Sequence, residues 1–168
     1  PDEALEEARA AARGFDPEEA AGRQDLTGLD VVTIDPVDAR DYDDAISVEE
    51  LRRGGVVRLG VHIADVAHFV PEGGALDAEA SARGTSVYFP RRVVPMLPEV
   101  LSNGVCSLQE GVKRFAHSVF IDYGADGAPL AARTARTVIA SRKRLTYEEA
   151  EAISRGEGKG VDRRVRAL

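Results

Sequence analysis

The sequence holds a single cysteine, Cys106, among its 168 residues. One thiol cannot close an internal disulfide or build a multi-cysteine zinc site, and a lone cysteine commonly packs as a small hydrophobe. Long apolar runs are missing too: no stretch approaches the ~20 residues that a membrane-crossing helix needs. No charged-then-apolar leader precedes the first element. From these absences the expectation is a cytoplasmic protein with no membrane partner. Internal repeats and low-complexity tracts are also lacking. What is present has an ordinary apolar content of 43%. The length suits one domain with a real core and is too short for two comfortable ones.

The net charge of −7 argues at first against a nucleic-acid partner, but the charge is unevenly spread. Residues 1–50 carry 16 acidic and 4 basic side chains, whereas residues 131–168 carry 10 basic and 5 acidic. An acidic centre beside a basic flank is compatible with RNA held through its phosphates. A solvated basic face would give the same pattern.

The chain is organised around Val31 to Val48, VVTIDPVDARDYDDAISV. Val31-Val32-Thr33-Ile34 is a β-branched run that reads as the end of a buried strand, and Ala45-Ile46-Ser47-Val48 returns to apolar alternation. Between them stand Asp35, Asp38, Asp41, Asp43 and Asp44 against one cation, Arg40. Asp35-Pro36 starts a turn, since proline fixes its own φ and pushes the preceding residue towards an extended conformation. At roughly 4 Å two carboxylates repel by about 4 kcal/mol at an effective dielectric near 20, against about 1 kcal/mol in water. A divalent cation among them would relieve this. Magnesium suits, because it takes carboxylate oxygens and keeps positions open for water and substrate phosphate. The spacing fails an EF-hand from either Asp35 or Asp41, and Val37 stands where a phosphatase-type D-x-D needs its second acid. A solvated acidic loop is the competing reading.

The rest of the chain reads as alternating elements. Asp2 to Arg13 has helical spacing and Gly14 ends it. Asp16-Pro17-Glu18-Glu19 signals a second, short helix before Gly22. Ala45 to Leu51 pairs with Val56 to Val66 through a turn at Gly54-Gly55. His62 and Asp65 fall on opposite faces of that strand, so His62, Asp65 and His68 read as structural or surface residues rather than a metal set. Leu76 to Arg83 is a helix closed by Gly84. Thr85 to Phe89 is extended and carries Tyr88, an aromatic that fits the core or a sheet surface, and Arg91-Arg92 beside it can meet phosphate. Pro98 to Ser102 is a helical turn ended by Asn103-Gly104. Arg114 to Tyr123 and Leu130 to Ile139 form a hairpin across Gly124 to Gly127, with Asp122 and Asp126 at its turn side. Thr146-Tyr147-Glu148-Glu149 is a capping box opening a helix that fades before Gly156. Val161 to Leu168 starts a further helix, which suggests that the chain is a fragment.

Several of these stretches together resemble the catalytic-domain signature of the ribonuclease II/ribonuclease R family. They are Arg23-Gln24-Asp25-Leu26-Thr27, Thr33-Ile34-Asp35-Pro36 and Asp38-Ala39-Arg40-Asp41-Tyr42-Asp43-Asp44-Ala45, then Ile63-Ala64-Asp65-Val66. Arg83 to Pro90, Pro95 to Gly104, Cys106-Ser107-Leu108 and Arg144-Leu145-Thr146-Tyr147 continue the likeness in order. The form Gly84-Thr85-Ser86-Val87-Tyr88-Phe89-Pro90 looks more like the ribonuclease R branch. The resemblance implies an α+β fold, a mixed and largely antiparallel sheet with packed helices. Residues 1–22 would be a helical lead-in, and residues 23–168 the N-terminal part of an RNB-type catalytic domain. It also implies a magnesium-dependent (manganese possible) hydrolytic exoribonuclease that works from the 3′ end of single-stranded RNA and releases nucleoside 5′-monophosphates. By the same resemblance Asp35, Asp41, Asp43 and Asp44 match the metal-binding carboxylates, with Asp43 the one most critical for turnover. Tyr88 would stack on a base, with Arg91 and Arg92 nearby, while Asp38 falls outside the family set. Full family chains carry OB-type domains before this one and an S1 domain after it, and a further catalytic arginine is expected beyond Leu168. A metal-stabilised RNA- or protein-binding module without catalysis is the rival expectation.

Overall fold

The computed structural model describes residues 1–51, 55–90, 92–157 and 165. Helix α1 (Asp2–Arg13) leads into strand β1 (Gln24–Asp25), then β2 (Val31–Ile34), β3 (Asp44–Leu51) and β4 (Val56–Ala64). After α2 (Ala75–Arg83) come β5 (Val87–Phe89) and β6 (Arg92–Val94), a wide π-type turn over Val100–Val105, and the hairpin β7 (Lys113–Tyr123) and β8 (Pro129–Ala140). Strand β9 (Lys143–Leu145) and helix α3 (Tyr147–Ser154) follow. Among the described residues a seven-stranded sheet runs β1-β8-β7-β4-β3-β2-β9, and β5-β6 forms a separate two-stranded ribbon. The pairs β1·β8 and β2·β9 are parallel and the other pairs of the main sheet antiparallel, so the expected mixed, largely antiparallel α+β architecture is what forms.

Two small cores flank this sheet. Val31 and Val32 are adjacent and both buried, and strand alternation sends them to opposite faces. Val31 joins Ala45, Ala64, Ala116 and Ile139 beneath α1, α2 and the Leu97–Leu108 segment. Val32 joins Leu145 and Val165, with Ile34, Ile46 and residues Ala150 and Ile153 of α3. The lead-in helix belongs to the first of these cores through Ala4 and Ala8. It also caps α2: the Glu7 carboxylate accepts from the N–H groups of Ala75 at 3.0 Å and Leu76 at 2.8 Å. This satisfies two donors that a helix start otherwise leaves bare.

Most local expectations match. Gly84 closes α2 in the left-handed region at φ 70°, and Thr146 and Glu149 make the reciprocal capping box that starts α3. The segment Asp16 to Glu19 is corrected: it forms turns and no helix. Its Asp16 side chain accepts from the Glu18 N–H at 2.9 Å, a local bond that competes with helix formation, and Gly22 turns the chain at φ 74°. The helical turn expected from Pro98 is carried past Asn103 to Val105, where Cys106 N–H donates to Leu101 C=O at 3.0 Å. Gly54, Arg91 and the Val161–Leu168 helix (Val165 apart) lie outside the described residues.

A polar string crosses four strands inside the first layer. Ser47 Oγ lies 3.0 Å from His62 Nε2, His62 Nδ1 lies 2.7 Å from Ser118 Oγ, and Ser118 Oγ lies 2.7 Å from Thr137 Oγ1. All four residues are buried. A Cβ at Gly60 would collide with Ser47 Oγ and His62 Nε2, so glycine leaves the room the imidazole occupies. His62 is structural, as expected. Its separation from Asp65 is also borne out, because Asp65 belongs to a different network.

Candidate active site

The acidic loop is pinned at its ends and at its middle. At the start, Asp35 N–H donates to Leu145 C=O at 3.0 Å, beside the β2·β9 pair. Arg144 Nη2 donates to Pro36 C=O at 2.5 Å, and its guanidinium stands 5.8 Å from the Tyr42 ring centre. Within the loop Ala39 N–H donates to Pro36 C=O at 3.1 Å, and Tyr42 Oη–H donates to Ala39 C=O at 3.0 Å. In the middle, Ser107 Oγ accepts from Tyr42 N–H at 3.1 Å and donates to Arg40 C=O at 2.8 Å. Leu108 N–H donates to Tyr42 C=O at 2.8 Å. At the far end Ala64 N–H donates to Asp43 C=O at 2.9 Å, and Asp44 opens β3 opposite Ile63.

This frame places Asp35 and Asp43 where neighbouring aspartate charges reach them. Burial, then the Asp44 charge, pushes the Asp35 carboxyl above its ordinary value; Arg144 and Thr33 oppose this and Asp41 adds to it. Burial again leads for Asp43, followed by Asp41, Asp44 and Asp35, all acting upwards. Asp35 Oδ2 is buried and makes no hydrogen bond of full geometry, nor does Thr33 Oγ1, which is nevertheless near enough to lower the Asp35 carboxyl. Asp38 is exposed. Among the described residues no three His, Cys, Asp or Glu side chains converge closely enough to hold a metal ion by themselves. The donor set nevertheless fits a hard divalent cation: the ligands are carboxylate oxygens, and one of them is buried without a hydrogen bond of full geometry.

The candidate RNA-contacting residues sit elsewhere, on the β5–β6 ribbon. Tyr88 is 69% exposed and pairs with Val93, while Phe89 pairs with Arg92. Arg91 lies outside the described residues. A solvent-facing tyrosine is free to stack, so the core placement open from sequence alone is not what forms. An open cleft of about 730 Å³ beside the loop is lined by Arg40, Tyr42, Asn103, Gln109, Glu110 and Arg144 among others, and none of the four aspartates lines it. Cys106 is buried in the first core, and burial pushes its thiol up to about 12, so it remains a protonated core residue as expected.

Sequence reasoning missed three supporting groups. Ser107 and Arg144 hold the loop, and Arg23 pairs with Asp65. Arg23 Nη2 donates to Asp65 Oδ2 at 2.5 Å, with both side chains buried and the guanidinium 3.9 Å over the Phe115 ring. Burial would raise the Asp65 carboxyl, but the Arg23 hydrogen bond and charge, aided by His117 and Arg136, hold it below its ordinary value. This pair fixes the end of β4, next to the backbone contact with Asp43.

Fold and loop together define an α+β domain with a carboxylate-rich centre. The RNB domain matches residues 23–166, and the chain belongs to the RNB domain family. It is 50% identical over 148 residues to Ribonuclease R of Thermotoga maritima, covering 88% of this chain and 21% of that protein. Ribonuclease R of Acidithiobacillus ferrooxidans is 47% identical over 157 residues, covering 94% of this chain and 35% of that protein. The chain thus spans a third or less of the length of most relatives it matches. Among solved structures, Mycoplasma genitalium RNase R in complex with ribose methylated single-stranded RNA superposes with a TM-score of 0.86 at 37% identity, over 94% of this chain and 25% of that one. Yeast Ssd1, described as a pseudonuclease, shares the fold at a TM-score of 0.74 and 20% identity, over 91% of this chain and 19% of that one.

Proposed function

We propose that this chain is the N-terminal part, residues 23–168 behind a lead-in of residues 1–22, of the catalytic domain of a cytoplasmic exoribonuclease. It degrades single-stranded RNA from the 3′ end to nucleoside 5′-monophosphates. The observation that carries this reading is the loop itself. Four carboxylates are held on a fixed backbone, neighbouring charges push Asp35 and Asp43 upwards, and one buried oxygen of Asp35 makes no hydrogen bond of full geometry. Magnesium or manganese bound by Asp35, Asp41, Asp43 and Asp44 would supply charge stabilisation for the phosphodiester and an acidified water, in the two-metal manner. The residues of the chain do the rest. Asp35, anchored to β9, and Asp44, anchored in β3, give the loop two rigid ends. Asp43, crowded by its neighbours, accepts a hydrogen bond from the attacking water. Tyr88 stacks on a base near the 3′ end, with Arg91 and Arg92 meeting phosphate. Flanking OB-type and S1 domains belong to the same proposal.

A non-catalytic binding module is the second reading. It rests on the arrangement of the described carboxylates, no three of which converge closely enough to hold a metal ion by themselves. Labelled single-stranded RNA separates the two. A chain extended to the length of its relatives should release nucleoside monophosphates with magnesium and none after chelation. Binding without release in magnesium would favour the module. Residues 1–168 alone should degrade RNA poorly, because they span only a fraction of the length of the relatives they match.

A further inference from the structure

We propose that Ser107 is a positioning residue for Asp41: its buried hydroxyl fixes the backbone on both sides of that aspartate and thereby sets the metal affinity of the loop. The inference rests on the metal-site reading above. Ser107 is fully buried, and its hydroxyl makes two bonds, both to the acidic loop. The acceptor, Arg40 C=O, belongs to the peptide unit entering Asp41. The donor, Tyr42 N–H, belongs to the unit leaving it. Peptide units are planar, so tying both to one atom fixes the two soft dihedrals of Asp41 between them. One hydroxyl therefore aims one carboxylate.

Ser107 is itself held by a dedicated brace. Arg114 Nε donates to Ser107 C=O at 2.9 Å, and Arg114 Nη2 donates to Gly104 C=O at 3.2 Å. The segment leading to Ser107 is the wide turn Val100–Val105, which kinks at Gly104 out of helical geometry. Leu101, Cys106 and Leu108 anchor the segment in the core. A serine that only stabilised its own turn would bond within it, whereas this one reaches a loop 65 and 67 residues away.

Manganese-dependent melting of the chain, compared among wild type, Ser107→Ala and Ser118→Ala, tests the assignment. Ser118 is a buried hydroxyl of the His62 string, away from the loop, so it reports what losing a buried hydroxyl does to stability alone. Removing a group that orients a metal ligand typically costs about 10–100-fold in metal affinity. Ser107→Ala should therefore need about tenfold more manganese for the same rise in melting temperature. Ser118→Ala should melt lower yet respond to manganese as wild type does. Hydrogen exchange of the Tyr42 amide should quicken in Ser107→Ala only. Should that variant fail to fold, Ser107→Cys keeps the volume with weaker bonds and takes its place. A responsive wild type with an equally responsive Ser107 variant overturns the inference while leaving the site reading intact. A wild type blind to manganese overturns the site reading, and the inference falls with it.

Discussion

Asp43→Asn, in a chain extended to the length of its relatives, should lose turnover on single-stranded RNA by roughly 10²–10⁴-fold, the range for a carboxylate that handles a proton in the transition state. Affinity for RNA and the melting temperature should change little. The substitution removes charge without volume, and the backbone carbonyl of Asp43 keeps its bond from Ala64 N–H. Stability should if anything improve slightly, because burial and the charges of Asp41, Asp44 and Asp35 all disfavour the ionised carboxylate. Asp38→Asn, at an exposed aspartate of the same loop, is the matched comparison and should leave the rate unchanged. Single-turnover release of labelled monophosphate measures both. A variant at position 43 that keeps most of its rate would return Asp43 to the status of Asp38.

The second large effect is on stability in acid. Burial lowers the His62 imidazole from its usual 6.5 to about 4, so the fold prefers the neutral ring. In the unfolded chain the ring binds a proton near 6.5. The stability contributed by the neutral ring is therefore complete above that pH and is lost progressively as pH falls from about 6.5 to about 4, levelling off below. A shift of this size corresponds to roughly 3 kcal/mol, or on the order of 10 °C in melting temperature for a domain of this size. His68, also lowered by burial, acts in the same direction, whereas Asp35 and Asp43, raised by burial, act in the opposite one. The diagnostic quantity is thus the difference between wild type and His62→Gln across this window. That difference should shrink as pH falls, and a constant difference would mean that His62 is not held neutral.

Both effects trace to residues whose visibility in the sequence differed. The aspartate loop was legible because it is local: its residues lie within ten positions, between two runs whose β-branched and alternating character marks strands. The β7–β8 hairpin and the α3 capping box were legible for the same reason. The Asp16 segment misled because an aspartate before proline signals a helix start, while the same side chain can close a turn on Glu18. What could not be read was long-range. Arg23 meets Asp65 across 42 residues and Ser107 meets Tyr42 across 65, with no periodicity to announce either. The parallel edge pairs β1·β8 and β2·β9 are likewise decided by how the sheet closes over its two cores.

The central claim is that the loop is a divalent-cation site, and thermal melting of the chain across millimolar magnesium and manganese tests it most directly, with wild type set against an Asp35→Asn, Asp44→Asn double variant. Without metal the double variant should melt no lower than wild type, since burial disfavours the charge on Asp35 and Asp44 adds to that by repulsion. With metal the wild type should rise and the variant should not. Binding should be weak, because substrate phosphate completes the coordination of such ions. Identical metal responses of the two proteins would contradict the account.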